Sequence, residues 1–167
     1  MNRKEYNTAV NDHSGKLFGY CLRYLRNRED ANDIVQDAFE KLWKNRKKVD
    51  FNKSKSWLFT TAHNTLLNFI GKKNRISYVS DVRSNEHSRN HADDYETREL
   101  VNNCLATLPP VQKSIILLRD LEGYNYNEIS EILNLTESQV KVYLFRARNK
   151  VKKQIKQVIA AEYVMQA

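Results

Sequence analysis

The side chains of this 167-residue chain that are best suited to chemistry form a cluster of cations near the carboxyl end. From Ser138 to Ala161 there is no Asp or Glu, while seven Lys or Arg side chains occur: Lys141, Arg146, Arg148, Lys150, Lys152, Lys153 and Lys156. Positive charge concentrated on one helical segment is typical of proteins that bind the phosphates of nucleic acid. The formal net charge of +8 for the whole chain also indicates an acidic partner.

The segment that carries these cations has the pattern of two short helices joined by a tight turn. Asn125 with Glu128, and Thr136 with Gln139, have the spacing of helix-start capping boxes. Asn134 falls where the chain leaves the first helix, and asparagine tolerates left-handed backbone better than most residues. An inward face of the second helix follows at helical spacing, at Val140, Leu144, Ala147 and Val151. The pattern predicts a DNA-binding helix-turn-helix; the alternative is a packed helical hairpin whose basic face is merely solvated.

A second candidate site is one face of a helix predicted from about Glu29 to Asn45. Its apolar face is formed by Ile34, Val35, Ala38, Phe39, Leu42 and Trp43. Its opposite face carries what we call the acidic strip: Asp30, Asp33, Asp37 and Glu40. Such a strip can steer a basic partner, or it can be an ordinary solvated face. A metal site is disfavoured, because the acids lie on one helix with no histidine or substrate loop nearby in the sequence.

A third helix is predicted to begin at Ser54 or Ser56, either of which suits an N-cap, and to end near Gly71. From Phe51 to Ser80 there is no acidic residue, and the cations are Lys53, Lys55, Lys72, Lys73 and Arg75. Trp57 and Phe69 fall in the apolar helical pattern and are predicted to be core residues rather than stacking platforms. No partner is predicted for His63, which is interpreted as a surface or packing histidine.

The composition favours an all-α fold, because only four Gly and two Pro occur. Cys21 and Cys104 lie in apolar helical patterns and are expected to be buried free thiols, with no disulfide framework and no metal. No signal peptide and no apolar run long enough to span a membrane is found, so a cytoplasmic protein without membrane insertion is expected. We expect no cofactor and no catalytic residue.

Two helical blocks flank a polar middle segment. The first block extends from about Asp12 to Arg75, and the second starts near Thr97, with a helix start at Pro109-Pro110 and a stop at Gly123. Residues 76–96 are too polar to offset the entropy cost of ordering them, so we interpret them as a flexible linker. The predicted architecture is two small helical domains, residues 1–75 and 97–167, on either side of that linker.

These segments resemble a known family. "LPPVQKSIILLRDLEGYNYNEISEILNLTESQVKVYLFRARNKV" is similar to region 4 of bacterial RNA polymerase sigma factors. "YCLRYLRNREDANDIVQDAFEKLWKN" and "FNKSKSWLFTTAHNTLLNFIGKKNR" are similar to region 2 of the same proteins. Because only these two regions and a short linker occur, the chain resembles the extracytoplasmic-function (ECF) type of the sigma-70 family.

The resemblance implies roles for the first block. "DIVQDAFEKLW" matches the helix that docks on the clamp helices of core RNA polymerase, with Asp33, Gln36 and Asp37 at polymerase-facing positions. Asn64 and Asn68 match polar positions at the pocket that holds a flipped base of the promoter −10 element, and an amide suits a base edge because it both donates and accepts. Strand phosphates would be bound by three cations, Lys72, Lys73 and Arg75.

For the second block, the resemblance implies reading of the −35 element in the major groove. Base contacts are expected at the start of the second helix, at Thr136, Glu137, Ser138 and Gln139. Gln139 could instead serve only as a cap. Phosphate or groove contacts are expected from Lys141, Arg146 and Arg148. The family commonly has Ser-Arg where this chain has Val142-Tyr143. The polymerase flap would be contacted by "LPPVQKSIILLRDLEG", residues 108–123.

The function predicted on this basis is that of a sigma factor, which binds core RNA polymerase, directs it to promoter DNA and assists melting. Relatives of this type are often held by an anti-sigma factor, which is a further expected partner. One alternative is a stand-alone helix-turn-helix regulator that binds duplex DNA as a dimer. Another is a nuclease or recombinase, but the sequence offers neither a clear carboxylate cluster nor an activated nucleophile.

Overall fold

The computed structural model describes residues 1–77 and 92–166, and every regular element in these ranges is helical. The helices are α1 (Arg3–Leu25), α2 (Arg28–Asn45), α3 (Ser54–Ser77), α4 (Ala92–Ala106), α5 (Pro110–Ile116), α6 (Tyr126–Leu133) and α7 (Glu137–Gln166). A 3₁₀ turn at Phe51–Lys53 precedes α3, and a π-helical segment at Leu117–Leu121 continues α5. The predicted all-α fold is confirmed.

The first three helices pack against one another, and local sequence signals fix where they begin. Asn2 and Glu5 form a complete capping box at the start of α1, and the Asn27 side chain accepts from the Asp30 N–H at the start of α2. The residues buried between these helices are Leu17, Tyr20, Cys21, Ile34, Ala38, Leu42, Leu58, Phe59, Ala62 and Leu66. Trp57 and Phe69 are partly buried against this core, as the helical pattern predicts.

The second half is built around the predicted helix-turn-helix. Gly123 has φ of 75°, a left-handed conformation that favours glycine, and it separates the π-helical segment from the next turn. Asn125 and Glu128 then cap α6, whose last residue is followed by Asn134 with φ of 53°. Ile129, Ile132, Val140, Leu144 and Ala147 are buried where α7 packs against α5 and α6. Both predicted capping boxes and the left-handed turn are therefore confirmed.

The two halves pack on each other through α3. Its Phe59 ring meets the Tyr124 ring edge-on, with 5.0 Å between the ring centroids and an angle of 80°. Phe59 and Tyr124 are both almost completely buried, and they belong to one continuous apolar core that reaches from α1 to α7. On the other side, α1 contacts the π-helical segment. The sequence does not predict this direct packing.

Helix boundaries differ from the prediction at both sides of the polar middle segment. α1 begins at Arg3 rather than near Asp12, and α3 continues past Gly71 to Ser77. α4 begins at Ala92, so the helices extend into both ends of the predicted linker. The remainder of that linker, residues 78–91, lies outside the described residues. At the carboxyl end, α7 continues to Gln166.

The left-handed turn gives a test of the fold. Replacing Asn134 with alanine should destabilise the protein by about 1 kcal/mol, because a Cβ in left-handed backbone is strained and alanine lacks the short polar side chain that relieves it. For a chain of this length we expect the midpoint of thermal unfolding to fall by about 2–4 °C. The matched control is Asn134→Gly, which has no Cβ; an equal fall for both variants would contradict the backbone explanation.

Candidate polymerase and nucleic-acid interfaces

The acidic strip lies on the outer face of α2. Asp33 and Gln36 are exposed, and Asp37 is partly exposed. The Asp37 carboxylate forms an ion pair with Lys41 at 2.6 Å and accepts a hydrogen bond from the Thr65 hydroxyl at 3.3 Å. Glu40 pairs with Lys44 on the same helix. The strip is therefore partly neutralised by its own helix, while Asp33 and Gln36 face solvent at the positions the sequence predicts.

The predicted −10 residues lie on the exposed side of α3. Asn64 and Asn68 are both exposed and are separated by one helical turn, so their amides point along the same face. Lys72, Lys73 and Arg75 follow on the exposed last turns of the helix. The Lys73 ammonium lies 3.8 Å from an Asp30 carboxylate oxygen on α2. This face combines two exposed amides, which can hydrogen-bond a base edge, with a cluster of cations, which can bind phosphates.

At the start of α7, the capping interactions occupy part of the predicted −35 set. Gln139 accepts from the Thr136 N–H at 2.9 Å, and Thr136 accepts from the Gln139 N–H at 3.1 Å. In this structure the Gln139 carbonyl oxygen therefore caps the start of α7. Glu137 and Ser138 are exposed in the first turn of α7. These two side chains point away from the core at the end of the helix where base contacts are made in helix-turn-helix proteins.

The cations of α7 divide into two groups. Arg148 binds Asp120 through two hydrogen bonds, one of them 3.0 Å from Nε to Oδ2, and Lys150 donates to the Thr107 carbonyl oxygen at 3.0 Å. These two side chains tie α7 to the preceding elements. Lys141 and Arg146 are exposed, and the Lys141 ammonium lies 5.4 Å from the centre of the Tyr126 ring. Lys141 and Arg146 are thus the better placed of the predicted cations to contact DNA.

His63 is a buried residue, and its imidazole has two partners that the sequence does not predict. Its Nδ1 lies 2.9 Å from the Tyr20 hydroxyl and 3.4 Å from the Ser114 hydroxyl. Tyr20 is on α1 and Ser114 on α5, so the imidazole joins three helices from both halves. Both hydroxyls are fully buried, and burial lowers the pKa of His63 to about 4.

Further polar contacts surround this cluster at the boundary between the halves. The Thr60 hydroxyl on α3 lies 3.1 Å from the Ile132 carbonyl oxygen on α6, and Lys55 forms an ion pair with Glu128. On the α1 side, Lys113 donates to the Tyr24 carbonyl oxygen at 2.9 Å. No local pattern could reveal these pairs, because the partners are more than 70 residues apart in the sequence.

Within residues 1–77 and 92–166, no group of three or more His, Cys, Asp or Glu side chains is arranged to hold a metal ion. Over the same residues, none of the helices is both long enough and apolar enough to cross a bilayer. Cys21 and Cys104 are buried free thiols, and burial raises the pKa of Cys21 to about 12.

The described residues form a capped helix-turn-helix with exposed cations, which is typical of a helical DNA-binding protein. Two family models match the chain. Sigma-70 region 2 matches residues 9–76, and Sigma-70 region 4 matches residues 98–151. The chain belongs to the sigma-70 family of RNA polymerase sigma factors and is of the ECF type.

Relatives of known identity are similar along most of the chain. "RNA polymerase sigma factor SigV" of Bacillus subtilis is 30% identical over 141 residues, which cover 84% of each chain. "ECF RNA polymerase sigma factor SigM" of the same organism is 27% identical, covering 88% of this chain and 90% of its own. The resemblance in the sequence is confirmed.

Solved structures share the fold. The sigma factor RpoE of Bartonella quintana, in complex with the anti-sigma factor NepR, superposes with a TM-score of 0.75 at 23% identity and covers 92% of this chain and 98% of its own. CnrH, in complex with the cytosolic domain of CnrY, has a TM-score of 0.70 at 20% identity and covers 93% of this chain and 90% of its own. At these identities the likeness establishes the fold alone.

The buried histidine predicts a pH dependence of stability. Its pKa is about 4 in the folded protein, whereas an unperturbed histidine titrates near 6.5. Between these values the unfolded chain binds the proton and the folded chain does not, so stability falls as pH falls. We expect a loss on the order of 2 kcal/mol between pH 7 and pH 5, measured by urea unfolding.

The control for this prediction is His63→Gln, which keeps a polar side chain but cannot titrate in this range. Its stability should be lower at pH 7 and should change less between pH 7 and pH 5 than that of the unchanged protein. An identical pH slope for the two proteins would show that His63 does not cause the dependence.

Proposed function

We propose that this sigma factor binds core RNA polymerase through the acidic strip of α2 and carries it to promoters in the cytoplasm. The exposed face of α3, with Asn64 and Asn68, would hold the opened −10 strand, and Lys72, Lys73 and Arg75 would bind its phosphates. The first turns of α7 would read the −35 element as duplex DNA. The protein would act by binding and positioning, with the chemistry of RNA synthesis left to the polymerase.

The observation that carries this proposal is that the two region matches lie in family order on one chain whose predicted contact residues stand on outward faces. Asp33, Gln36, Asn64, Ser138 and Arg146 are all exposed. A stand-alone regulator has no need of an acidic strip together with a second DNA-facing helix. That alternative is therefore not favoured.

The proposed promoter contacts require the two halves to separate. Elements near −10 and −35 are centred about 25 base pairs apart, or about 85 Å at 3.4 Å per pair. A compact chain of 167 residues has a radius of gyration of only about 15 Å. The packed arrangement cannot span both elements, so we propose that polymerase binding stabilises an open form in which α3 and α6 no longer touch.

An anti-sigma factor is a further proposed partner. Two proteins of the same fold are each known in a complex: RpoE with the anti-sigma factor NepR, and CnrH with the cytosolic domain of CnrY. A partner that held the halves together would keep α3 and α7 too close to reach both promoter elements. Inhibition would then need no direct competition with DNA.

Co-elution with bacterial core RNA polymerase on a sizing column tests the proposed function directly. A one-to-one complex is expected, together with specific transcription from a promoter fragment selected by the complex from random duplexes. A protein that elutes alone as a dimer and binds duplex DNA tightly without polymerase would instead support the stand-alone regulator.

The polymerase contact can be tested with Asp33→Arg. Because Asp33 is exposed, this variant should keep its stability yet weaken polymerase binding about tenfold or more, by placing a cation against a basic partner. Asp37→Arg should weaken binding similarly, and it also removes the ion pair to Lys41, whose contribution to stability is expected to be small.

The matched control is Asp12→Arg, the same charge reversal at an exposed position of α1 outside the acidic strip. Fluorescence titration of labelled protein with core polymerase measures all three affinities. If Asp12→Arg weakened binding as much as Asp33→Arg, the effect would be one of net charge and the strip would not be the docking site.

Promoter opening can be separated from polymerase binding with Asn64→Ala. We expect unchanged affinity for polymerase and about tenfold slower opening, because the variant loses an amide that donates to and accepts from an extruded base. The reactivity of unpaired thymines in the selected promoter measures opening. Asn11→Ala, an exposed asparagine of α1, is the control, and normal opening by Asn64→Ala would remove this residue from the base pocket.

A further inference from the structure

The outward face of α7 has an apolar centre. Val140, Leu144 and Ala147 are buried, so the helical repeat places Ser138, Val142, Phe145 and Asn149 on the opposite side. Val142 is 47% exposed and Phe145 is 67% exposed, and both belong to the helix proposed to read the −35 element. Two large apolar side chains at this place are unusual for a surface whose predicted partner is a polyanion.

The structure shows where the two side chains of the Val142-Tyr143 pair lie. Tyr143 is partly buried and packs against the core, so it is not available on the outward face. Val142 faces outward, one turn before Arg146.

Several polar side chains near this face are already engaged within the protein. The carbonyl oxygen of Gln139 accepts from the Thr136 N–H, Arg148 is bound to Asp120, and Lys150 donates to Thr107. The face that remains has Val142 and Phe145 at its centre, with the cations Lys141 and Arg146 beside them. Such an arrangement suits apolar contact with bases, with the phosphates bound at its edges.

We propose that Val142 and Phe145 recognise the 5-methyl group of thymine in the major groove of the −35 element. Thymine is the one base that presents a methyl group there, and apolar side chains are its natural partners. This inference rests on the proposed role of α7 as the −35 reader. It assigns sequence specificity to two residues that carry no hydrogen-bonding group.

Replacing thymine with deoxyuridine tests the proposal, because uracil keeps every hydrogen-bonding group of thymine and lacks only the methyl. Holoenzyme assembled from this protein and core polymerase would first select its −35 sequence from random duplexes. Each thymine of that sequence is then changed singly to deoxyuridine. At one or two positions we expect Kd to rise about fourfold, the effect of losing one buried methyl group.

The variants Val142→Ser and Phe145→Ala should each bind the thymine duplex more weakly and should each lose the difference between thymine and uracil at one position. Both side chains are exposed, so the fold should be retained, which circular dichroism checks. Val158→Ser changes an exposed valine of the same helix beyond the helix-turn-helix, and it should preserve both the affinity and the methyl effect.

Arg146→Ala separates failure of this inference from failure of the proposed function. It should weaken thymine and uracil duplexes equally, since a phosphate contact does not depend on the methyl group. If Arg146→Ala weakens binding but no uracil substitution does, or if the selected −35 sequence lacks thymine, the methyl proposal is overturned and the −35 role stands. If neither Arg146→Ala nor Val142→Ser affects DNA binding, α7 is not the −35 reader and both are overturned.

Discussion

The packing of α3 against both halves is the interaction on which the rest of this structure depends. Phe59 is fully buried on this helix, and burying a side chain of that size is worth about 2–3 kcal/mol. The polar contacts beside it, such as Thr60 with the Ile132 carbonyl oxygen, each contribute about 1 kcal/mol. The interface thus adds hydrogen bonds and ion pairs to an apolar core that is continuous across both halves, and such polar contacts are typical of interfaces between domains that can separate.

The packing of α3 explains why adjacent residues of this helix have different surroundings. His63 is buried against Tyr20 and Ser114, while Asn64, one residue further, is exposed. A rotation of about 100° per residue separates the inner face from the outer face. The helix can therefore hold the two halves together and still leave the amides of Asn64 and Asn68 exposed. In the packed form the outer faces of α3 and α7 are exposed, but the two helices are too close together for their proposed contacts with separate promoter elements.

Features that depend on neighbouring residues in the sequence could be predicted, and features that depend on contacts between distant residues could not. The capping boxes at Asn125 and Thr136 and the left-handed turn at Asn134 follow from side chains that bond to their own backbone neighbourhood. The partners of His63 lie 43 and 51 residues away, on helices whose approach no periodicity specifies. The extension of α3 past Gly71 was missed because a single glycine inside a helix costs only about 1 kcal/mol, which packing can override.

In the second half, a count of Lys and Arg residues overstates the number of cations that are available to a partner. The sequence marks the cations of α7 as one group, yet Arg148 is fixed to Asp120 and Lys150 to the Thr107 carbonyl oxygen. Cations held within the fold position the recognition helix, while Lys141 and Arg146 remain exposed beside it. Positive charge thus orients this protein on DNA, but phosphates are the same in every sequence and cannot distinguish one promoter from another. If α7 has its proposed role, discrimination would depend on the exposed side chains of its first turn and on the outward face, whose centre in this chain is apolar.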